Sequence, residues 1–259
     1  MIRFSNPFKN IAYTIYRWLI PIIDPIKIIK NIPAYIRYLF QMLQYASMNG
    51  SEKISLIHTA PYLEDSISIT PFIRHYFYQD IWAFKNIYNS KVSHHIDIAS
   101  RIDLIGFLTA ITHVTFIDIR PLLADLDNYT SISGSILQIP LETNSVQSLS
   151  CLHVAEHIGL GRYGDELDPY GTLKSCAELA RVLAPGGFLY FSLPVGKPRI
   201  CFNAHRIHSP EQILNYFRNL QLVSLSGIDD DNAYHELISI EQLSSMNYGC
   251  GLFVFTKVK

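Results

Sequence analysis

Two imidazoles and a carboxylate crowd into five residues of this 259-residue chain, His153, Glu156 and His157, in the run HVAEHIGLGRYGD at 153–165. An imidazole beside a carboxylate suits general-base work, in which a substrate hydroxyl gives up its proton as its oxygen attacks an electrophile. The same side chains are equally suited to fixing their own loop. The spacing His-x-x-Glu-His also matches a zinc-peptidase signature, but that site needs both histidines on one face of a stable helix. Gly159 and Gly161 follow at once and leave room for little more than one turn, and no later segment offers an obvious third ligand, so the expectation is that no metal binds. A second polar run, FNAHRIHSP at 202–210, brings His205 and Arg206. Arg162, Arg199 and Arg206 together suit bidentate contacts to a phosphate or uronate. Pairing with Asp165, Glu166 and Asp168 at the surface is the plainer alternative.

Such groups need a frame that brings distant loops together. Strand-like runs fall at 95–98, 114–119, 146–152, 188–193, 222–226 and 252–256, with helical patterns at about 104–111, 172–183 and 210–220 between them. That alternation predicts a mostly parallel sheet covered by helices on both faces, with ligands beyond the carboxyl ends of its strands. Seven of the 13 glycines lie between 159 and 196 and none between 51 and 105, so permissive backbone is concentrated after the later strands.

Residues 94–120 read as strand, turn, helix, strand, the opening of a nucleotide-binding unit, yet Ala99, Arg101 and Asp103 stand where glycines usually let the chain approach a cofactor. A guanidinium there can pair with a cofactor carboxylate and Asp103 with an amino group; alternatively the two pair with each other and close the site.

Ahead of this domain, expected over 73–259 and starting with a helix at 73–90, residues 1–72 read as a helical arm or cap. Pro21, Pro25 and Pro33 should cut its first part into two or three small helices, and 51–72 look irregular. Residues 1–50 carry six basic residues against one acid, with nine of the chain's 32 aromatics. That combination suits a helix on a membrane surface or against a protein partner, or else a cap with its lysine and arginine stems laid along the main domain. Four scattered cysteines without CxxC pairing suit a reducing compartment, so a cytoplasmic location is expected, with the arm peripheral at the inner membrane face. The apolar run near residue 20 is too short to span a bilayer, and no signal peptide is recognisable. Nucleic-acid binding is not expected: the main domain is acidic, and Asp229, Asp230 and Asp231 read as a solvated loop.

From Leu137, LQIPLETNSVQSLSCLHVAEH and then AELARVLAPGGFLYFSLP resemble the class I S-adenosylmethionine-dependent methyltransferases. Pro140, Asn144, Ser145, Glu156, His157, Arg181, Pro185, Gly186 and Gly187 carry the likeness. HVAEHIGLGRYGD and FNAHRIHSP, with the turn at 100–103, further resemble an uncharacterised methyltransferase-like family of unknown function associated with bacterial surface-polysaccharide genes. The resemblance implies a Rossmann-like methyltransferase fold and S-adenosylmethionine as cofactor. It would lie over Asp97, Ala99, Ser100, Arg101 and Asp103, with the Asp118 carboxylate on its ribose, Ser135 and Ile136 at its adenine, and His153 nearby. His157, Glu156 and His205 become the catalytic candidates, and Arg162, Asp165 and Arg206 the substrate-binding ones. The implied reaction is methylation of a hydroxyl on a small molecule or glycan precursor; the alternative is a non-catalytic binding or scaffold protein with a degenerate cofactor loop.

Overall fold

The computed structural model describes residues 7–20 and 23–258, with only the backbone for 7–10 and 14. Arg3, Pro21 and the Lys9 side chain of the basic arm lie outside the described residues. Two compact units divide the chain, Met1–Phe72 and Ile73–Lys259.

The first unit holds helices α1 (Pro7–Leu19) and α2 (Pro25–Ala46) and a single 3₁₀ turn at Leu56–His58. Asp24 starts α2: its carboxylate accepts the Lys27 N–H at 3.0 Å, and Pro25 follows where a missing N–H costs nothing. Pro33 does not divide the arm as the sequence suggests, because α2 runs through it for 22 residues. Proline there removes one N–H, the partner of the carbonyl four residues earlier. No α2 side chain is buried, so that carbonyl can turn to water. Arg37 donates to the Leu63 carbonyl at 3.2 Å and Lys27 meets Glu64 at 3.0 Å, tying the irregular 51–72 segment back to α2. Among the described residues no helix is long and apolar enough to cross a membrane.

The second unit runs α3 (Arg74–Ser90), β1 (His94–Ile98), α4 (Ile102–Leu108), β2 (His113–Asp118), β3 (Tyr129–Ser133), β4 (Val146–Leu152), α5 (Gly171–Val182), β5 (Leu183–Val195), β6 (Arg199–Cys201), β7 (His205–Ile207), α6 (Pro210–Tyr216), β8 (Gln221–Ile228), β9 (Tyr234–His235), α7 (Ile240–Ser245) and β10 (Gly249–Thr256). The main sheet has the order β3-β2-β1-β4-β5-β10-β8-β9. Its first five strands are parallel, and β10 enters antiparallel to both β5 and β8. The hairpin β6–β7 is separate.

Long apolar runs explain β5 and β10, which are covered on both faces. Leu189, Phe191, Phe253 and Phe255 face one core with Leu179 of α5, Phe217 and Leu243. Their neighbours Tyr190, Leu252 and Val254 face the other, with Trp82 and Ile87 of α3 and Leu104 and Leu108 of α4. That second face also buries polar groups: His95 sits between the Ser148 and Ser150 hydroxyls at 2.7 and 2.8 Å, and Ser192 donates to Gln79 at 2.5 Å. The expected 104–111 and 210–220 helices end early, in turns after Leu108 and Tyr216. The strands β3, β6, β7 and β9 and the helix α7 are additions to the sequence reading.

Candidate functional site

At the carboxyl ends of β1 and β2 and in the turn after β4, a cavity opens to solvent. It lies where open α/β sheets place ligands. Ala99, Asp118, Ser135, Ile136, His153, His157 and Asp165 line it, with Arg120 and Tyr163 among the rest of its wall.

The turn after β1 explains how a chain without glycine closes it. Ala99 takes the left-handed conformation, φ +55°, that glycine would supply, and its N–H reaches the Ile117 carbonyl at 3.0 Å. Asp97 points away from the cavity into the sheet. Fully buried, it accepts the Ser100 N–H at 2.9 Å and the Ser150 hydroxyl, and burial pushes its carboxyl up to about 6. The Ser100 hydroxyl accepts the Leu152 N–H at 3.1 Å. Arg101 meets Asp103 at 2.6 Å and Asp80 at 3.8 Å, its guanidinium 5.2 Å from the Tyr76 ring. Asp97, Ser100, Arg101 and Asp103, expected at the cofactor, are thus absent from the cavity wall. The two loop charges satisfy each other.

The nucleoside end of the expected cofactor finds better provision. Asp118 ends β2 with its side chain 12% exposed, and its Oδ1 accepts the Arg120 N–H at 2.8 Å, leaving Oδ2 for a ribose hydroxyl. Ile98, Ile117, Ile136 and Leu137 provide an apolar wall. Ser135 accepts the Leu137 N–H at 3.1 Å and keeps its own proton to donate. A Cβ on Gly134 would come within 2.9 Å of both Ile117 and Pro140, so glycine is what lets β3 turn into this wall. These residues fit an adenosine.

Beyond them Glu156, fully buried, forms a hub. Its Oε1 lies 2.9 Å from His153 Nδ1 and 3.7 Å from His157 Nε2, while Oε2 has no hydrogen-bond partner among the described residues. Burial works against its charge, but His153 outweighs it and holds the carboxyl below its ordinary value. His157 donates from Nδ1 to the Ala204 carbonyl at 2.6 Å, and its ring lies 6.4 Å from that of His205. Burial lowers both imidazoles, His205 to about 4, so both are neutral near pH 7. His153 and His157 do not form the metalloprotease pair: the segment is a series of turns, and their Nδ1 atoms face different partners.

The glycine loop is tied down from behind. Asp165 accepts the Gly159 and Tyr163 N–H groups at 2.6 and 3.2 Å. A Cβ on Gly159, at φ +79°, would lie 2.1 Å from the Asp168 carbonyl oxygen. Arg206, expected to bind substrate, is 7% exposed and donates to the carbonyls of Ile158 and Asp168. It clamps the loop. Arg199 Nη1 donates to the carbonyls of Lys197 and Asn247 at 3.0 and 2.7 Å, while its buried Nη2 has no hydrogen-bond partner among the described residues. The three-arginine anion site therefore does not form. Instead Arg120 lies 4.7 Å from the Tyr163 ring on the cavity wall, and Arg162, 5.1 Å from the same ring, donates to the Ala204 carbonyl at 2.9 Å. Arg120 and Tyr163 were missed in the sequence, although both lie beside residues that were chosen.

Residues 139–246 match a family model described as Caenorhabditis protein of unknown function, DUF268. Within that stretch Arg181 anchors the Pro140 segment, donating to the Ile139 and Leu141 carbonyls, both at 2.9 Å. No curated protein matches the sequence. Solved structures do match in shape. The N-methyltransferase NodS from Bradyrhizobium japonicum WM9 is similar over 71% of this chain and 97% of its own, at 14% identity and a TM-score of 0.51. Its complex with S-adenosyl-L-homocysteine matches over 83% and 95%, at 15% identity and 0.50. A geranyl diphosphate methyltransferase in complex with SAM matches over 70% and 85%, at 15% identity and 0.51. The protein thus has the Rossmann-like methyltransferase fold, a mostly parallel sheet with helices on both faces.

Proposed function

We propose that the α/β unit binds S-adenosylmethionine and methylates a hydroxyl of a small molecule or glycan precursor. The observation that carries this reading is one cavity wall shared by the adenosine-compatible residues Asp118, Ser135 and Ile136 and the neutral imidazole of His157. The cofactor supplies an electrophilic methyl group. Asp118 accepts ribose hydroxyls, and Ile117, Ile136 and Leu137 exclude water from the base. The acceptor oxygen would lose a proton as it forms its bond to the methyl carbon, while the S–CH3 bond breaks and S-adenosylhomocysteine leaves; His205 or His157 takes the proton, and the buried Glu156 charge stabilises the imidazolium that results. Arg120 and Arg162 flanking Tyr163 favour an acceptor with an apolar sugar face and a nearby anionic group.

Titration of the full chain with S-adenosylhomocysteine in a calorimeter tests the cofactor, and labelled methyl transfer to a panel of sugar nucleotides tests the acceptor. Absence of binding heat at high micromolar protein overturns the proposal. The Arg101–Asp103 pair specifically favours the second reading, a non-catalytic module with a closed cofactor loop, which that same absence supports. The N-terminal arm is assigned to a membrane surface at the cytoplasmic face, with a protein partner as the competing occupant. Exposed Ile28, Ile29, Phe40 and Leu43 beside Lys27, Lys30 and Arg37 support it. Co-sedimentation with anionic but not neutral vesicles is expected.

A further inference from the structure

We propose that His75, His153 and Cys250 bind one zinc ion, with a fourth coordination position left for water or a substrate heteroatom. The three residues come from the first turn of α3, the turn after β4 and the start of β10. Their donor atoms all lie within 4.8 Å of one another. His153 Nε2 and Cys250 Sγ are 3.3 Å apart. Tetrahedral zinc with ordinary Zn–N and Zn–S bonds sets such donors about 3.6 Å apart, so this edge is nearly formed.

The surroundings are built as a metal site's outer shell is built. Glu156 Oε1 faces His153 Nδ1 at 2.9 Å, which fixes the tautomer that turns the Nε2 lone pair toward the thiol. The His75 ring stacks against two neighbours, with centroids 6.0 Å from His153 and 5.3 Å from Tyr248. His153 adopts φ +54°, a left-handed conformation uncommon for residues other than glycine. Charge supports the same ion. Metal binding would release the Cys250 proton, and the thiolate so formed, with the Glu156 carboxylate, would balance the charge of one divalent cation. One sulfur and two imidazole nitrogens suit zinc and not the oxygen-seeking magnesium or calcium. Three protein ligands are the count of catalytic zinc sites, and His153 also lines the cavity. Metal binding here is independent of whether the cavity takes S-adenosylmethionine.

The test uses the full chain, stripped of metal with a chelator and titrated with Co²⁺ and then Zn²⁺. One equivalent of Co²⁺ should bind with the thiolate-to-metal charge-transfer absorption of a cysteine ligand, and Zn²⁺ should displace it. Cys250→Ser should abolish the band, His75→Ala should weaken Co²⁺ binding at least about tenfold, and Cys201→Ser, a buried cysteine outside the trio, should leave both unchanged. Substoichiometric binding by the unmodified chain overturns the site, as does a band that survives Cys250→Ser. Circular dichroism reports whether each variant is folded. If Cys250→Ser is not, an unaltered Co²⁺ affinity in folded His75→Ala refutes the proposal by itself.

Discussion

Acidification should loosen this protein through His95, and the size of the effect follows from its burial. The ring is fully buried between two serine hydroxyls, and burial, helped by the nearby His94, brings it down to about 3. In the unfolded chain an imidazole titrates near 6.5. Between those values the unfolded state holds a proton that the folded state cannot, so stability falls as the pH drops below about 6.5, by about 2 kcal/mol at about pH 5. Asp97, two residues along the same strand, works in the opposite direction. Burial pushes it up to about 6, so the folded state takes a proton first and regains about 1 kcal/mol at about pH 5. The histidine wins. His208, buried and lowered to about 4, adds a second loss of about 2 kcal/mol. Together these three groups lose about 3 kcal/mol, a large share of an ordinary domain's roughly 5–15 kcal/mol, and His75, which burial lowers to about 4, acts in the same direction. Urea unfolding followed by circular dichroism at about pH 7.5 and about pH 5 measures it. His95→Gln, which keeps polar contacts to the serines but does not titrate, should lose about 2 kcal/mol less than the parent on acidification. Asp97→Asn should lose about 1 kcal/mol more. Parallel pH slopes for all three proteins would refute the reasoning. Because Asp97 also holds the Ser100 N–H, the acid-weakened layer is the one that supports the Ala99 turn.

Other perturbations separate the roles of residues in and around the cavity. Asp118→Asn should weaken S-adenosylhomocysteine binding about tenfold or more, the loss expected when a charged acceptor is neutralised, and equal calorimetric affinities would remove Asp118 from the site. His205→Ala should lower the methyl-transfer rate about 100-fold while leaving cofactor affinity intact; a rise in the cofactor's Kd instead would make it a positioning residue. Ala99→Gly should relieve the left-handed strain and, after the entropy of glycine is subtracted, raise stability by about 0.5–1 kcal/mol in thermal unfolding. Gly159→Ala should destabilise the fold by about 3 kcal/mol or more, since its Cβ meets backbone and not a movable side chain.

The segments of β4 and β5 were legible because most of their residues are buried and apolar, and in β4 the buried polar positions are only the small Ser148 and Ser150. The segment 146–152 coincides with β4, and 188–193 lies inside β5. The strand β3 was invisible for the complementary reason: at the sheet edge no residue from Tyr129 to Ser133 is fully buried, so its composition resembles a loop. The hairpin β6–β7 is held by pairing of three residues a side, too short to show a period. At the site, the proximity of Glu156 to His153 and His157 was readable from sequence spacing. The inward turn of Asp97 was not, since it depends on Ser150 reaching across from β4. Nor was the meeting of His153 with Cys250, 97 residues away, which only the closing of β10 onto β5 creates. Side-chain type told which residues could hold an anion; it could not tell that Arg206 is spent on two carbonyls.

The placement of β10 sets a timetable for folding on the ribosome. It is the last described strand to be made, yet it fills the gap between β5 and β8. Until it emerges, β5 has one unpaired edge and the β8–β9 pair has no sheet to join. At about 5–20 residues per second, the stretch from β5 to β10 leaves that apolar edge open for a few seconds to roughly ten. A nascent chain in that interval presents an edge strand rich in Leu and Phe, the kind of template on which other chains pair. Slow translation through 196–248 should therefore increase the chain's demand for chaperones.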